Sequence, residues 1–273
     1  MMELPESRTL EKQINSILVG KTVTNVVANS SPHKFAWYKG DPKDYPALLS
    51  DRRVIRAESH GGMIEIHLEG IRLIFSDGTN LTYYAEEKDL PKKHQLLLKF
   101  DDNTFLVCSI QMYGGLLALK DGETNDYNEI ARSKIDPLSD AFDFNYFSSL
   151  YAEGESKLSV KEFLATKQRI PGLGNGVLQD ILFSAKIHPR RKMGTLSRDE
   201  FTTLFESVRN KLKEMTDKGG RDTEKDLYGV AGGYSTILSS KTIDRPCPTC
   251  GESIKKEPYM GVNIYYCPNC QKN

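Results

Sequence analysis

Four cysteines near the carboxyl-terminal end of the chain constrain its fold more than any other feature. Cys247 and Cys250 form one C-x2-C pair, and Cys267 and Cys270 form a second pair after 16 intervening residues. Each pair turns tightly enough to aim two sulfurs at one point, and a hairpin can bring both pairs around one tetrahedral zinc ion. Two disulfides or a redox C-x2-C motif are the alternative interpretations. A ribbon of about 30 residues is too small to fold on an apolar core, so the spacing favours one structural Zn²⁺ ion.

The amino-terminal residues and the hydropathy of the chain indicate its compartment. Residues 1–7 show no basic segment followed by an apolar core, which predicts that there is no secretory signal and that the location is cytoplasmic. Disulfides are disfavoured there, which supports zinc over the disulfide interpretation. The mean hydropathy is −0.48 and no run of about 18 apolar residues occurs, so we expect no membrane-spanning helix. The fifth cysteine, Cys108, lies in an apolar run and is predicted to be a buried small hydrophobe.

The net charge of zero is the sum of two unlike halves. The 273 residues carry 37 Lys and Arg and 37 Asp and Glu. Residues 1–154 carry 17 basic and 23 acidic side chains, a net of −6, whereas residues 155–273 carry 20 and 14, a net of +6. A basic half indicates contact with nucleic acid or a membrane surface, and a chance fluctuation in surface composition is the alternative.

The hydrophobic pattern predicts an α+β multidomain chain with three regions. The first, residues 1–135, opens with a helix from Pro5 to Gly20 and continues in short β-runs separated by Gly, Asp and Asn turns, which is typical of a β-sandwich. The β-runs are residues 22–27, 63–68, 71–75, 96–100, 104–107 and 114–119. The polar stretch 120–140 is predicted to be a linker.

The second and third regions are predicted to be helical and metal-binding, respectively. Residues 141–225 carry helical spacing, and Ser197 followed by Glu200 is a capping-box pattern. The predicted helices are residues 142–152, 160–168, 176–185 and 197–216. Residues 243–273 form the predicted zinc ribbon.

A glycine-rich turn lies between two predicted helices of the second region. One helix is predicted to end near Ile170, residues 171–175 read Pro-Gly-Leu-Gly-Asn, and a new helix follows. A helix N-terminus presents backbone N–H groups that bind phosphate, and Asn175 can cap the helix or donate its amide to phosphate. An ordinary helix–helix turn capped by Asn175 is the alternative.

Together these motifs resemble the formamidopyrimidine-DNA glycosylase / endonuclease VIII family of base-excision repair enzymes. The resemblance covers nearly the whole chain. The segments that carry it are residues 3–6 (ELPE), 19–21, 136–139, 171–191, which resembles the family's helix–two-turns–helix motif, and 247–271, which resembles its zinc finger. The resemblance implies a helix-capped β-sandwich joined to a helical domain with a zinc β-hairpin, and double-stranded DNA bound in the cleft between them.

The resemblance also implies a chemistry. In the family the damaged nucleotide is flipped out of the duplex, and an N-terminal amine, usually that of a proline exposed by removal of the initiator Met, attacks C1′. A Schiff base forms, the base is lost and β/δ-elimination follows. The adjacent glutamate, which matches Glu3 here, handles protons. An α-amine suits the attack because its pKa of about 8 leaves a usable neutral fraction near pH 7.

The chain departs from this pattern at the position of the nucleophile. Met2 stands immediately before Glu3, where the family has its proline. The primary amine of Met2 can form a Schiff base only after Met1 is removed, and the enzyme that removes it favours small second residues. If Met1 stays, the reactive amine is displaced by one residue, which costs far more than the ~10²-fold attached to a 1 Å error.

Other departures affect positions that contact DNA in the family. Gly62 replaces a lysine, and Val262 in the predicted zinc hairpin replaces an arginine that clasps phosphates. Ser76 and Gln111 replace a Met and an Arg that fill the gap left by the flipped base, whereas Tyr113 keeps an aromatic wedge.

Several further residues carry predictions. By resemblance Lys161 and Asn175 contact the DNA backbone. Phosphate contact and an ordinary solvated charge are both open for Arg190 and Arg191. Glu6 is predicted to be structural. His188 is predicted to pack in a turn, His33, His60 and His67 show no metal spacing, and Trp37 and Tyr38 lie in a loop-like stretch and are predicted to serve packing.

Three functional hypotheses follow. The first is a damaged-DNA-binding protein of this family that has lost its Schiff-base glycosylase/AP-lyase chemistry. The second is an active DNA glycosylase, with or without AP lyase activity, that uses a changed nucleophile or Glu3 or Glu6 as acid/base. The third is a protein-binding scaffold, which the basic second half disfavours. The predicted partner is damaged or distorted double-stranded DNA, bound by a monomer without a membrane.

Overall fold

The computed structural model describes residues 2–76, 78–110 and 112–273. The strands in these residues are β1 (Val23–Ala28), β2 (Ala36–Tyr38), β3 (Val54–His60), β4 (Met63–Leu68), β5 (Ile71–Phe75), β6 (Thr79–Tyr84), β7 (Leu96–Phe100), β8 (Phe105–Ile110), β9 (Gly114–Lys120), β10 (Lys255–Tyr259) and β11 (Val262–Tyr266). The α-helices are α1 (Leu4–Ile17), α2 (Tyr45–Leu49), α3 (Asp126–Ser133), α4 (Phe144–Ser149), α5 (Val160–Ala165), α6 (Asn175–Ser184) and α7 (Arg198–Asp217). The predicted α+β fold is confirmed.

Helix α1 joins the sandwich to the helical region. Its N-cap is Glu3, whose backbone N–H donates to the Glu6 carboxylate at 3.0 Å, and Pro5 lies in its first turn, where the missing N–H costs nothing. Its apolar face buries Leu10 and Ile14 in the sandwich core. The helix contacts β3 and β4 on one side and α7 on the other. Residues near the amino terminus are therefore fixed between the two regions.

The predicted β-sandwich consists of two sheets. One has the strand order β2-β9-β5-β4-β3 and the other has the order β1-β7-β8-β6. The neighbouring strands are antiparallel except for the short β2–β9 pair, which is parallel. The core between the sheets includes Cys108, which is 1% exposed, as predicted for a buried small hydrophobe.

The prediction of a linker over residues 120–140 is wrong, because helix α3 lies within it. Ala131 of α3 packs with Met63 on the outer face of the five-stranded sheet. The buried carboxylate of Glu65 accepts hydrogen bonds from Asn128 at 2.8 Å and from Arg132 at 2.6 Å. Polar side chains of α3 thus donate their hydrogen bonds to a buried acid on β4. The sequence of the polar segment alone does not predict this partner.

The helical region follows the sequence pattern, although two of its helices are shorter than predicted. Helix α4 spans six residues instead of the predicted 142–152, and α5 ends at Ala165 instead of near Ile170. Lys167 and Gln168 have φ values of 57° and 48°, a left-handed conformation that no helix can continue. The capping box of Ser197 and Glu200 at the start of α7 is confirmed.

Within the residues that the structure describes, no helix is long and apolar enough to cross a membrane.

Candidate functional site

Met2, at the predicted position of the nucleophile, uses its side chain as part of the sandwich core. The residue is 4% exposed and belongs to the same apolar cluster as Leu10 and Leu227. Met1 lies outside the described residues. The side chain of Met2 therefore contributes to the sandwich core.

Gly62, which replaces the lysine of the family, lies against the backbone of the amino terminus. A Cβ atom at Gly62 would lie 3.1 Å from the carbonyl oxygen of Met2 and 3.6 Å from Cα of Gly172. The preceding Gly61 has a φ of 59°, and a Cβ there would lie 2.6 Å from Cβ of Pro171. The β3–β4 turn is thus pressed onto the glycine-rich turn, with little room for a longer side chain.

The carboxylate of Glu3 caps helix α6. Its Oε1 accepts the backbone N–H of Gly176 at 2.8 Å and its Oε2 accepts that of Val177 at 2.8 Å. The helix begins where the sequence predicted, but these two N–H groups bind the chain's own carboxylate instead of an external phosphate. Of the two roles considered for Asn175, capping of this helix is not seen, because Gly174 is the N-cap and Asn175 is the first helical residue.

Arg221, on the segment after α7, holds the two acids of α1 together. It is 2% exposed, and its Nε and Nη2 donate to the two oxygens of Glu6 at 3.0 and 2.9 Å. Its Nη1 lies 3.5 Å from Oε2 of Glu3. Sequence analysis missed this residue, since a single arginine after a Gly-Gly pair carries no recognisable spacing. The predicted structural role of Glu6 agrees with this ion pair.

Burial raises and Arg221 lowers the pKa of each carboxylate, and the stronger of the two effects differs between Glu3 and Glu6. Burial raises the pKa of Glu3, and the charge of Arg221 and the two N–H donors of α6 only partly offset it. Burial also acts to raise the pKa of Glu6, but the charge and hydrogen bonds of Arg221 outweigh it, so the pKa of Glu6 is lowered. The two acids therefore differ, since the pKa of Glu3 is raised by its burial and that of Glu6 is lowered by Arg221.

Met2, Glu3 and Gly62 line one cavity of about 110 Å³ between the sandwich and the helical region. Leu173 and Gly174 of the glycine-rich turn complete its wall. The structure therefore brings the two predicted catalytic residues to one cavity.

Lys161 and Asn175, which are predicted to contact DNA, hydrogen-bond to each other and to the β10–β11 hairpin between the two cysteine pairs. Lys161 Nζ donates to Asn175 Oδ1 at 2.8 Å and to the carbonyl of Tyr259 at 3.2 Å. Asn175 Nδ2 donates to the carbonyl of Asn263 at 3.1 Å. Burial lowers the pKa of Lys161 to about 8, and the charge of Arg190 adds to this effect. The network fixes the hairpin against the glycine-rich turn.

Arg190 and Arg191 both have acidic partners in the chain. Arg190 lies 3.3 Å from Glu257, and its guanidinium lies 4.1 Å from the ring centroid of Tyr259. Arg191 donates to both oxygens of Glu200, at 2.5 and 2.8 Å. Phosphate contact by these arginines stays a prediction, and would have to occur alongside these ion pairs.

The four predicted metal ligands form one cluster. The Sγ atoms of Cys247 and Cys270 are 3.7 Å apart, those of Cys250 and Cys267 are 3.5 Å apart, and all four lie within 4.8 Å of one another. A tetrahedral zinc ion with Zn–S bonds of about 2.3 Å places its sulfurs roughly 3.8 Å apart. The donor set and its spacing therefore fit zinc.

A second group with metal-type donors, Glu58, Glu65 and His67, lies on the outer face of β3 and β4. Its carboxylates are already paired with arginines: Arg56 lies 3.0 Å from Glu58, and Arg132 lies 2.6 Å from Glu65. These cations oppose the binding of a metal ion. Strand pairing brings the group together, which is why the sequence spacing did not reveal it.

Three further residues that carried predictions are Gln111, Val262 and His188. Gln111 lies outside the described residues. Val262 is 40% exposed on the hairpin, so an apolar side chain stands where the family has its arginine. His188 packs edge-on against Tyr266 with ring centroids 4.3 Å apart, which confirms the predicted packing role.

Replacing Arg221 is expected to destabilise the protein in a pH-dependent way. Arg221→Gln leaves two buried carboxylates without a cation, so we expect a loss of about 3–5 kcal/mol in the free energy of unfolding at pH 7. Without the cation both folded-state pKa values lie above those of the unfolded chain. Both acids then take up protons as the pH falls, so the loss should shrink toward pH 4.

Urea unfolding at pH 7 and pH 4 measures this effect. The control is Arg209→Gln, a half-buried arginine on α7 that lies 3.9 Å from the exposed Asp140 and should change the stability by less than about 1 kcal/mol. An Arg221→Gln loss that matches the control, or that is the same at both pH values, would contradict the assignment.

Comparisons with known proteins extend over the same regions. A family model described as the formamidopyrimidine-DNA glycosylase N-terminal domain matches residues 1–136, and one described as the formamidopyrimidine-DNA glycosylase H2TH domain matches residues 134–226. The formamidopyrimidine-DNA glycosylase of Thermus thermophilus is 27% identical over 99% of this chain and 98% of its own. That of Bordetella petrii is 28% identical over 100% of both chains.

Solved structures agree with these matches. The crystal structure of MutM (Fpg) from Thermus thermophilus has a TM-score of 0.80 and 26% identity, and the match covers 98% of each chain. The Lactococcus lactis Fpg in complex with abasic-site DNA has a TM-score of 0.82 over 99% of this chain and 100% of that chain; at 20% identity it shows a shared fold. With both its sandwich and its helical region matched, the chain belongs to the formamidopyrimidine-DNA glycosylase family.

Proposed function

We propose that this chain binds duplex DNA that is damaged or locally distorted, and that it does so without Schiff-base chemistry. The observation that carries the proposal is Met2, which is buried in the sandwich core at the position of the family's nucleophile. Proline's secondary amine is absent there. If Met1 is retained, its amine lies about 3.8 Å further along the chain, far more than the 1 Å error that already costs ~10²-fold in rate.

Three observations support DNA as the ligand. The chain belongs to a family of DNA glycosylases, and a structure with the same fold, that of the Lactococcus lactis Fpg, was determined with abasic-site DNA. The basic second half of the chain holds the glycine-rich turn and the cysteine hairpin. Lys161 and Asn175 fix these two elements against each other, which preorganises a surface for a phosphate backbone.

The replaced cations suggest a grip that is weaker than is typical of the family. Gly62 has no side chain to carry a charge, and Val262 presents an apolar group on the hairpin. Each lost phosphate contact removes part of the salt-dependent affinity. A protein that keeps the family's scaffold but loses phosphate contacts is better suited to recognise distorted DNA than to bind every duplex tightly.

A second candidate function is hydrolysis of the glycosidic bond with Glu3 as general acid. It is favoured by one observation: burial raises the pKa of Glu3, and this residue lines the cavity beside Met2. A carboxyl that stays protonated closer to neutral pH can protonate a leaving base. Such a reaction releases the base without a covalent protein–DNA adduct, so it is distinguishable from Schiff-base chemistry.

We also propose that the four cysteines bind one structural Zn²⁺ ion. Bound zinc would supply the folding energy of the hairpin, which has few apolar residues of its own. The hairpin in turn provides the carbonyl groups of Tyr259 and Asn263 that bind Lys161 and Asn175.

Borohydride treatment of the protein on an abasic-site duplex tests the proposed function. We expect binding by fluorescence anisotropy that weakens steeply with salt, no trapped adduct, and an intact Met1 in the mass spectrum. The matched variant is Met2→Pro, which presents a secondary amine once Met1 is removed and is expected to gain an adduct. The formamidopyrimidine-DNA glycosylase of Thermus thermophilus serves as a positive control for the assay.

A trapped adduct with the unmodified protein would refute the loss of Schiff-base chemistry. Release of a damaged base without an adduct, abolished in Glu3→Gln, would establish the second candidate instead. Absence of measurable duplex binding at low salt would eliminate both DNA functions.

Removing the metal ligands tests the zinc proposal. Elemental analysis should find one zinc ion per chain, and Cys250→Ser should lose it. Because the hairpin holds Lys161 and Asn175, the variant should also bind DNA more weakly, while the sandwich core stays folded by near-ultraviolet circular dichroism. A chain that contains no metal and is unaffected by a chelator would contradict the assignment.

A further inference from the structure

A segment of the helical region reaches across to the β-sandwich. Residues 221–234, which we term the strap, follow α7 and precede the cysteine hairpin. Tyr234 at one end belongs to the apolar core of the helical region. Leu227 in the middle belongs to the core of the sandwich, where it is 0% exposed. The strap therefore has its base in one region and its tip in the other.

Backbone hydrogen bonds close the strap at its base. The N–H of Asp222 donates to the carbonyl of Tyr234 at 2.8 Å, and the N–H of Tyr234 donates to the carbonyl of Gly220 at 3.0 Å. A Cβ at Gly232 would collide with the carbonyl group of Gly220, so this close approach requires a glycine. The base of the strap is thus fixed beside the end of α7.

The tip of the strap is fixed to the sandwich by hydrogen bonds as well as by apolar packing. The side chain of Gln13 on α1 donates to Oδ2 of Asp226 at 2.8 Å and accepts the backbone N–H of Leu227 at 3.0 Å. The carbonyl of Leu227 accepts the backbone N–H of Tyr83 on β6 at 2.8 Å. The rings of Tyr83 and Tyr228 pack edge-on, with centroids 6.2 Å apart. The tip therefore contacts both α1 and β6.

The strap reaches a different sheet from the one that the glycine-rich turn contacts. That turn presses on the β3–β4 turn of the five-stranded sheet, and its Gly172 carbonyl accepts the backbone N–H of Leu4 at 3.0 Å. Leu227 instead bonds to β6, the edge strand of the four-stranded sheet. A single contact would let one region rotate about the other, whereas two contacts at separate sheets oppose this rotation and hold the cleft at one width.

We infer that the strap locks the two regions together and thereby makes the protein select DNA that is already distorted. The inference rests on the proposed function and adds the structural basis of its selectivity. Because a locked cleft cannot adapt, the duplex has to supply the change of shape, and deforming a fully paired duplex costs free energy. Deforming DNA that is weakened at an abasic site costs less, so such DNA is favoured.

Two variants release the strap in different ways. Leu227→Ala removes the apolar anchor, and Gln13→Ala removes both side-chain hydrogen bonds at the tip without altering the sandwich core. Val230→Ala is the matched control, because this side chain is 60% exposed on the same strap. Hydrogen exchange of residues 79–84 and 221–234 is expected to be slow in the unmodified protein and the control and faster in both released variants.

Anisotropy then measures binding to two duplexes of equal length, one fully paired and one with a single abasic site. The unmodified protein is expected to prefer the abasic-site duplex. Release of the strap should reduce this preference by at least about fivefold, because a cleft that adapts no longer requires the DNA to deform. Val230→Ala should keep the preference within about twofold. Near-ultraviolet circular dichroism checks the fold, and Gln13→Ala decides the test if Leu227→Ala unfolds.

The outcomes separate this inference from the proposed function. If the unmodified protein binds both duplexes equally, or if the released variants keep its preference, the inference is overturned and DNA binding stands. An equal loss of preference in Val230→Ala would assign the effect to direct contact between the strap and DNA, and fast exchange of the strap in the unmodified protein would show that no lock exists; either result overturns the inference. If the unmodified protein binds neither duplex, the proposed function fails and the inference fails with it.

Discussion

The buried contact of Glu3, Glu6 and Arg221 determines how the parts of this protein fit together. Arg221 comes from the segment after α7, and the two acids lie at the start of α1. Glu3 also accepts two backbone N–H groups from the first turn of α6. Three segments far apart in sequence thus meet in one buried network of two acids and one arginine. Removing a charge from such a network leaves its partners buried and unpaired, which is far more costly than losing a surface ion pair.

This contact also decides what the amino terminus can do. Both carboxylate oxygens of Glu3 accept backbone N–H groups of α6, and these two hydrogen bonds hold the side chain at the wall of the cavity. Met2 next to it is fixed by apolar packing. Glu3 and Met2 are thus held side by side at the wall of the cavity. In our account, the family's scaffold is retained while the step that needs a free proline amine is lost.

Much of the fold could be predicted from the sequence, because its signals are local. The C-x2-C spacing, the helix α1 pattern, the capping box at Ser197 and the glycine-rich turn each depend on residues that are close in the chain. What the sequence did not reveal depends on distant partners. Helix α3 is polar but is held by buried Glu65 on β4, and Arg221 has no pattern until Glu6 is placed beside it. The capping of α6 by Glu3 spans more than 170 residues, so the N-terminus of α6 was predicted to be open to phosphate.

Dependence on a distant partner also explains why the sequence placed Trp37 in a loop, whereas it lies in strand β2. An isolated aromatic residue in a short polar stretch is most simply assigned to packing, and its exposure follows only from the parallel pairing of β2 with β9. That pairing places it beside Tyr113, with the two ring centroids 6.1 Å apart.

The central claim is that this chain recognises distorted DNA without forming a covalent intermediate. It is tested most directly by borohydride trapping on a labelled abasic-site duplex under conditions where anisotropy shows the protein to be bound. Our account predicts saturated binding with no adduct for the unmodified protein and an adduct for Met2→Pro. An adduct formed by the unmodified protein would contradict it.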